Sequence, residues 1–492
     1  MNILLIGNGF DLAHGLPTKY TDFLIFCKMI LKAIEISNVN KLHFKNKESC
    51  EEWINNYDTM LFTKYIWVDI VDGIWGSDED IVDHVYGSDE DIENFCNMYY
   101  SADEIFESNE DKEKYLRMLE SSLHNEFYST RSIKEMSYLV YDNFWIKYFN
   151  DNPIFQKENW IDFESEISKV IQSLDDSDMQ TLSGERFSID DTVNSLSNKA
   201  LRERYSKFIE AVQAVNPVIT DGDSIKGITF KQIRNDLLRD LNRLTRALEI
   251  YLAEYVENID VKEISPDIEL LEINYLISFN YTNTYLKFYK NPFVDYSDTE
   301  KWLDYIHGKA NKKNTVDSNN MVLGIDEYLP ENRKNKDVEF IAFKKYYQRI
   351  HKETGCKYKK WIDEIIQNYN EYNRLVQRHE LYIGEFEEFG NERHKIETTL
   401  KELRKNFPEH ILHIFGHSLD VTDKDILKEL ILTEGMHTTI YYRNLDQKGQ
   451  QIANLVKIIG QDELIKRTGG GGARTIKFKL QKPMIKRKEE TD

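Results

Sequence analysis

The chain has 492 residues, of which 41% are hydrophobic and 12% aromatic, and its formal net charge at pH 7 is −21. This content is typical of a packed globular protein and excludes a disordered chain. The acidic balance argues against nucleic acid as a partner, and no apolar run reaches the roughly 18 residues of a transmembrane helix. We therefore expect a soluble, cytoplasmic protein with no membrane partner.

The chain opens with a predicted buried strand, Asn2–Ile6, followed by the turn Gly7-Asn8-Gly9. Glycines at such a turn let the backbone approach a pyrophosphate closely, and a helix starting near Asp11 would direct its N-terminal amides toward the negative charge. The third glycine is Gly15, so the usual GxGxxG spacing is not met. The alternative is a purely structural connection between strand and helix.

A predominantly helical insertion is predicted next, over residues 31–265, because charged stretches with helical periodicity replace the strand pattern. Within it lies the segment that contains Trp160, Asp162 and Glu164. These side chains either cover the strand-end pocket, with Glu164 supplying charge, or simply begin an amphipathic helix. The insertion as a whole is interpreted as a lid, an oligomerisation surface or a sensor.

Strand-like runs return later in the chain, at 273–279, 305–307, 321–325, 410–415 and 438–442. A second helical insertion is predicted over 335–406. The nucleotide-binding core is therefore discontinuous, comprising residues 1–30, 266–334 and 407–468, with a flexible basic tail at 469–492. The basic residues of the tail indicate either a solvated segment or a binding patch. The four cysteines form no CxxC pair and have no histidine at metal spacing, so no metal site is expected.

Polar residues follow several of these runs, where ligand sites in open α/β sheets lie. Asn280 could orient a ribose or a water, or form an Asx turn or helix cap. His307 precedes a glycine and could face a cavity, or be structural. Gly416-His417-Ser418-Leu419-Asp420, with Asp423 just beyond, could hold phosphate or ribose, or could be a capped helix start.

In order and character these strings resemble the sirtuin NAD-binding signature, which consists of a GAGxS…SGIPD string, a TQNID string, a catalytic HG and a late GTSL string. The matching positions are Gly7, Gly9, Gly15, Pro17, Asn280, His307, Gly308, Gly416, Ser418 and Leu419. The sequence departs from the sirtuins at Asn8, Asp11 and Thr282, where they have alanine, serine and aspartate. It also lacks the paired CxxC motifs of their zinc module, which disfavours deacylation.

The sequence resembles still more closely the bacterial abortive-infection AbiH family of phage-defence proteins. That family carries strings similar to ILLIGNGFDLAHGLPTKYTDFL, WIDFE, SFNYT, IHG and FGHSLD, from Asn2 to about Asp423. The resemblance implies an α/β fold with a Rossmann-like (sirtuin-like) parallel sheet core and large helical insertions. It also implies a defence protein that responds to a phage-encoded trigger.

Together the two resemblances imply a nucleotide substrate or ligand, NAD, and hydrolysis of its nicotinamide–ribose bond. In this hypothesis Asn280 positions water and ribose, and His307 is the general base. The expected NAD-binding residues are Gly7, Asn8, Gly9, Phe10, Asp11, Gly15, Pro17, Gly416, His417, Ser418 and Asp420. ADP-ribosyl transfer, non-catalytic nucleotide sensing that gates a partner, and an enzyme acting on nucleic acid remain open, as does a homo-oligomer.

Overall fold

The structure is a computed structural model. It describes residues 1–28, 31, 135–136, 138–151, 162–182, 193–215, 230–289, 295–330, 332–334, 336–385, 390–405, 410–469 and 474–487. All structural statements below concern these residues.

A six-stranded parallel sheet forms the centre of the fold. Its strands are β1 (Asn2–Ile6), β3 (Tyr275–Ser278), β4 (Leu303–Tyr305), β5 (His410–Phe415), β6 (Met436–Tyr442) and β7 (Ile476–Leu480). The order across the sheet is β4-β3-β1-β5-β6-β7. Counted along the chain, this is the order 3-2-1-4-5-6 of doubly wound α/β sheets, whose order reverses between the first and the fourth strand.

The central strand explains why the chain starts with an apolar run. Ile3, Leu4 and Leu5 are fully buried. Ile3 and Leu5 pack into one hydrophobic cluster, and Leu4 packs into a second cluster on the other face of the sheet. A parallel strand that is covered on both faces needs apolar side chains at consecutive positions rather than at alternate ones. A second, small sheet pairs β2 (Glu263–Ile264) with β8 (Ile485–Lys486) in antiparallel fashion.

Helices surround this sheet and form the insertions. In the core segments they are α1 (Asn8–Ala13), α6 (Pro266–Glu269), α7 (Thr284–Phe288), α11 (Lys424–Leu432), α12 (Leu445–Ile459) and α13 (Gln461–Thr468). The first insertion contributes α2 (Phe144–Asp151), α3 (Phe163–Leu182), α4 (Lys199–Val215) and α5 (Phe230–Ile250), and the second α8 (Lys345–His351), α9 (Tyr358–Glu385) and α10 (Gly390–Lys405).

The first insertion packs around an aromatic core that it shares with the beginning of the chain. Phe163, at the start of α3, stacks on Tyr20 and on Phe149 with ring centroids 4.1 Å apart in both pairs. Tyr20 lies in a helical segment, residues 20–28, that follows α1 after the connection 14–19. These stacked rings tie the start of α3 to the beginning of the chain, close to the carboxyl end of β1.

Several predicted elements are confirmed and others need correction. The strands at β1 and β5 have the predicted bounds, and β6 begins slightly earlier than expected. The run 321–325 was wrongly predicted as a strand: it forms only an isolated bridge at Ile325, and its backbone binds His307, Phe343 and the Gln348 side chain. The strand predicted at 305–307 lies at Leu303–Tyr305, and α1 begins at Asn8 rather than near Asp11.

The sheet also continues beyond the predicted core boundary, because β7 pairs with β6 within the segment assigned to the basic tail. As a β-branched and aromatic strand with lysines at alternate positions, β7 suits the edge of a sheet, where charged side chains discourage pairing with other chains. Over the described part of the chain, no helix is both long and apolar enough to span a membrane.

Candidate functional site

Four polar residues follow the ends of four adjacent strands at the carboxyl edge of the sheet. The strand register aligns Ile6 with Ser278 and with Phe415, and Ser278 with Tyr305. Two residues beyond each member of this row come Asn8, Asn280, His417 and His307. The sheet therefore brings together residues that lie hundreds of positions apart in the chain, at the place where doubly wound sheets bind their ligands.

The turn after β1 and the loop after β5 touch directly through their backbones. The Gly9 amide donates to the Gly416 carbonyl over 2.7 Å. A Cβ on Gly9 would lie 2.7 Å from that same oxygen, and one on Gly7 would lie 2.8 Å from the His417 ring. Both glycines are thus required by contact between two protein loops. Their predicted role beside a pyrophosphate stays a prediction, with packing as an independent reason for their presence.

Asp11 and Asn280 form a buried polar group between β1 and β3. The Thr282 hydroxyl donates to Asp11 Oδ2 over 2.6 Å, and the Thr284 hydroxyl in turn contacts Thr282. Burial raises the pKa of Asp11 to about 6, against the opposing effect of the hydrogen bond from Thr282. Hydrogen bonds from Thr284 and Asn280 also oppose the effect of burial on the pKa of Asp11. Among the described residues, Asn280 Oδ1 has no hydrogen-bond partner.

The two histidines of the row converge on one carboxylate. His307 Nε2 lies 3.1 Å from Asp423 Oδ1, and His417 Nε2 lies 3.6 Å from Asp423 Oδ2. The Phe279 ring packs edge-on against both imidazoles. Burial lowers the pKa of His307, although the Asp423 carboxylate opposes this effect. Within the described part of the chain, His307 Nδ1 is buried without a hydrogen-bond partner.

A buried ammonium joins this carboxylate to the first insertion. Lys345 Nζ lies 3.1 Å from Asp423 Oδ1 and 2.6 Å from Glu164 Oε2. Burial would raise the pKa of Asp423, but Lys345 and His307 hold it well below its usual range. Burial raises the pKa of Glu164 to about 7 despite the nearby ammonium. The site thus contains one firmly ionised carboxylate and one that titrates near neutrality.

The segment with Asp162 and Glu164 fulfils both of the roles considered for it. The Asp162 side chain accepts from the amides of Glu164 and Ser165 and so caps α3. Glu164, in the first turn of that helix, faces Lys345. The helix start and the charge over the site are therefore the same feature. Trp160, the third residue of the prediction, lies outside the described residues.

The remaining predicted binding residues lie around this cluster in different roles. Phe10 is fully buried against His14, Tyr289 and Phe415. Other members are held by local contacts: the Asn8 amide with Thr18, the Pro17 carbonyl with Tyr251, the Ser418 carbonyl with Asn454, and the Asp420 carboxylate with the Thr422 amide. Gly15 is exposed with φ +75° at the end of α1, where its Cβ position is open.

Two residues of the cluster were missed or undervalued in the sequence. Asp423 was noted only as a neighbour of the FGHSLD string. Lys345 was not singled out at all, because nothing in FKKYYQRI distinguishes it among the 64 Lys and Arg residues of the chain. The only available signal for Asp423 was its position shortly after a strand-end glycine, which is shared with Asp420 and Asp425.

The chain is thus an α/β protein with a six-stranded parallel sheet, whose carboxyl edge carries a buried cluster of amide, imidazole, ammonium and carboxylate groups. Such a cluster can orient a polar ligand and accept a proton from it. A family model for bacteriophage abortive infection AbiH matches residues 3–144 and 128–442. The chain belongs to this family, and membership supports a role in abortive infection of bacteriophage. No curated protein and no solved structure matches it.

Proposed function

We propose that the protein acts in phage defence by hydrolysing NAD at the nicotinamide–ribose bond, in the cluster at the carboxyl edge of the sheet. One observation carries the proposal. Two buried polar atoms there, Asn280 Oδ1 and His307 Nδ1, lack hydrogen-bond partners among the described residues. Unsatisfied buried polar atoms are costly and uncommon, and a bound polar ligand or water would satisfy them.

The position of these atoms favours a nucleotide. They follow β3 and β4, at the carboxyl edge of the sheet, which is the edge where doubly wound sheets bind dinucleotides. The order of the motifs that resemble the sirtuins adds NAD as the specific nucleotide. The Asn280 amide can both donate and accept, as a ribose with two hydroxyl groups requires.

Hydrolysis of the nicotinamide–ribose bond requires few catalytic groups from the protein. A water attacks C1′ of the ribose as the bond from C1′ to the nicotinamide nitrogen breaks, and the pyridinium leaves as neutral nicotinamide with both bonding electrons. Since the leaving group is neutral, no general acid is needed, unlike in ordinary glycoside hydrolysis. The proton of the attacking water passes to His307 Nδ1 and then to solvent, while Asn280 orients the water and the ribose.

The first experiment measures NAD, nicotinamide and ADP-ribose in bacteria that express the wild type, His307→Gln or Asn280→Ala at matched protein levels, with and without phage. His394→Gln and Asn370→Ala are matched controls, since both residues lie on exposed helical positions. We expect NAD to fall in infected cells with the wild type and with both controls. In the two site variants NAD stays level and phage protection is lost.

The same experiment separates the alternative functions. Transfer of ADP-ribose would place label from NAD on protein instead of releasing free ADP-ribose. Sensing would leave NAD intact while purified protein binds it. Full phage protection with constant NAD in every strain, and no binding of NAD by the purified protein, contradicts the proposal.

A further inference from the structure

We propose that Asp423 is a positioning residue for His307: its carboxylate holds the imidazole in the tautomer that leaves Nδ1 free to accept a proton. The inference rests on the proposed function for its catalytic meaning, since it concerns the base of that reaction. The orientation of the imidazole itself follows from contacts that do not depend on which substrate is bound.

The contact distances assign the tautomer. An ionised carboxylate only accepts hydrogen bonds, so the imidazole nitrogen that faces it must carry the proton. His307 Nε2 is that nitrogen, 3.1 Å from Asp423 Oδ1. In the neutral ring the lone pair is then on Nδ1, the buried atom that has no partner in the described residues. This division of roles, with one nitrogen bound to a carboxylate and the other free to act, is common to histidine bases.

The surroundings keep Asp423 ionised and fixed. Lys345 Nζ donates to the same oxygen that His307 contacts, and His417 faces the second oxygen. The His417 ring accepts the Leu419 amide at Nδ1, which places its proton on the nitrogen that points at Asp423. Lys345, His307 and His417 therefore all direct a proton toward this carboxylate, which fixes its orientation.

If Asp423 served only to cap a helix, its side chain would make a different contact. Asp423 occupies the N-cap position of α11, where aspartate commonly accepts a hydrogen bond from a backbone amide of the first turn. Its side chain makes no such cap bond. Instead the carboxylate points to His307 and Lys345, while Asp420 caps the preceding turn through the Thr422 amide. The residue thus forgoes a local contact in favour of one across the site.

The test uses the full-length protein labelled with 15N at histidine, and it compares wild type, Asp423→Asn, Asp423→Ala and the control Asp446→Ala. Asp446 is exposed in the first turn of α12. His307 is assigned by the signals missing from His307→Gln. We expect a protonated Nε2 and an unprotonated Nδ1 in the wild type, in Asp423→Asn, which keeps an acceptor oxygen, and in the control. In Asp423→Ala both nitrogens should show mixed protonation.

NAD hydrolysis supplies the second readout. We expect a loss of at least about 100-fold in kcat with little change in KM for Asp423→Ala, a smaller loss for Asp423→Asn, and no loss for the control. An unchanged His307 signature in Asp423→Ala, or a wild type protonated at Nδ1, overturns the inference. If the wild type does not hydrolyse NAD but Asp423→Ala shows the expected mixed protonation of His307, the proposed function is overturned and the positioning role stands.

Discussion

The backbone contact between the β1 turn and the β5 loop predicts the cost of adding a single methyl group. Gly416 has φ +69°, and a Cβ there would lie 2.1 Å from the Phe10 amide nitrogen. The left-handed backbone costs a non-glycine residue about 1–2 kcal/mol, and overpacking a filled site costs about 1–3 kcal/mol more. We therefore expect Gly416→Ala to lower the free energy of unfolding by about 2–5 kcal/mol.

Two pairs of glycines isolate the contact. Gly15 shares the positive φ of Gly416, at +75°, but its Cβ position is open, so Gly15→Ala should cost only about 1–2 kcal/mol. Gly9 and Gly449 are both helical; a Cβ on Gly9 would meet Gly416 at 2.7 Å, whereas Gly449 has open space. Gly449→Ala should stabilise the protein by about 1 kcal/mol, and Gly9→Ala should not.

Urea unfolding followed by tryptophan fluorescence measures all four variants. Within each pair, the crowded position should be about 1–3 kcal/mol less stable than the open one, because the two members differ only in their neighbours. If the members of both pairs agree within about 0.5 kcal/mol, the loops do not touch as described and the reasoning fails. Such a result would also return the glycines of the turn to a role in ligand binding alone.

Three further predictions concern the site and the helical layer. Burial raises the pKa of Asp11 from 3.8 to about 6, so the folded state retains a proton that the unfolded state has lost, and wild-type stability falls as pH rises through that window. The free energy of unfolding of Asp11→Asn, measured in urea, should therefore rise by about 3 kcal/mol relative to that of the wild type between about pH 4 and about pH 7. Parallel curves of unfolding free energy against pH for the two proteins would contradict this. Lys345→Met leaves Asp423 without its ammonium and should cost about 3–5 kcal/mol by the same assay, against under about 1 kcal/mol for the surface control Lys359→Met. Phe163→Ala removes a ring stacked on two others and should cost about 3–5 kcal/mol, with thermal unfolding as the check and a loss under about 1 kcal/mol as the refuting result.

The sequence predicted those parts of the fold in which local pattern and tertiary environment agree. Asn2–Ile6 and His410–Phe415 are continuous apolar runs that end in glycine, and a strand buried on both faces demands that pattern. The run at 321–325 carries an equally apolar pattern, yet it packs into the helical core and its backbone groups bind a loop, a strand end and a side chain. Burial is common to both cases, and periodicity alone does not separate them.

The candidate site was predictable only in part, for a related reason. Asn280 and His307 follow strands, so the rule that sites lie at strand ends selects them. Lys345 is positioned by the second insertion, and its identity as the buried ammonium depends on the tertiary placement of Glu164 and Asp423. Local sequence does not determine which lysine becomes buried and desolvated. Its burial depends on the packing of elements from distant parts of the chain.

The charged residues of the site come from three parts of the chain, so the site forms only when these parts pack together. Glu164 comes from the first insertion, Lys345 from the second, and Asp423 and His307 from the sheet core. A buried ion pair whose partner is removed leaves an uncompensated charge at a cost of about 3–5 kcal/mol. Asp423 therefore remains buried and ionised only while Lys345 is seated, and Lys345 has its second carboxylate only while α3 covers the sheet edge. Completion of the site and docking of both insertions onto the sheet are, on this argument, a single event.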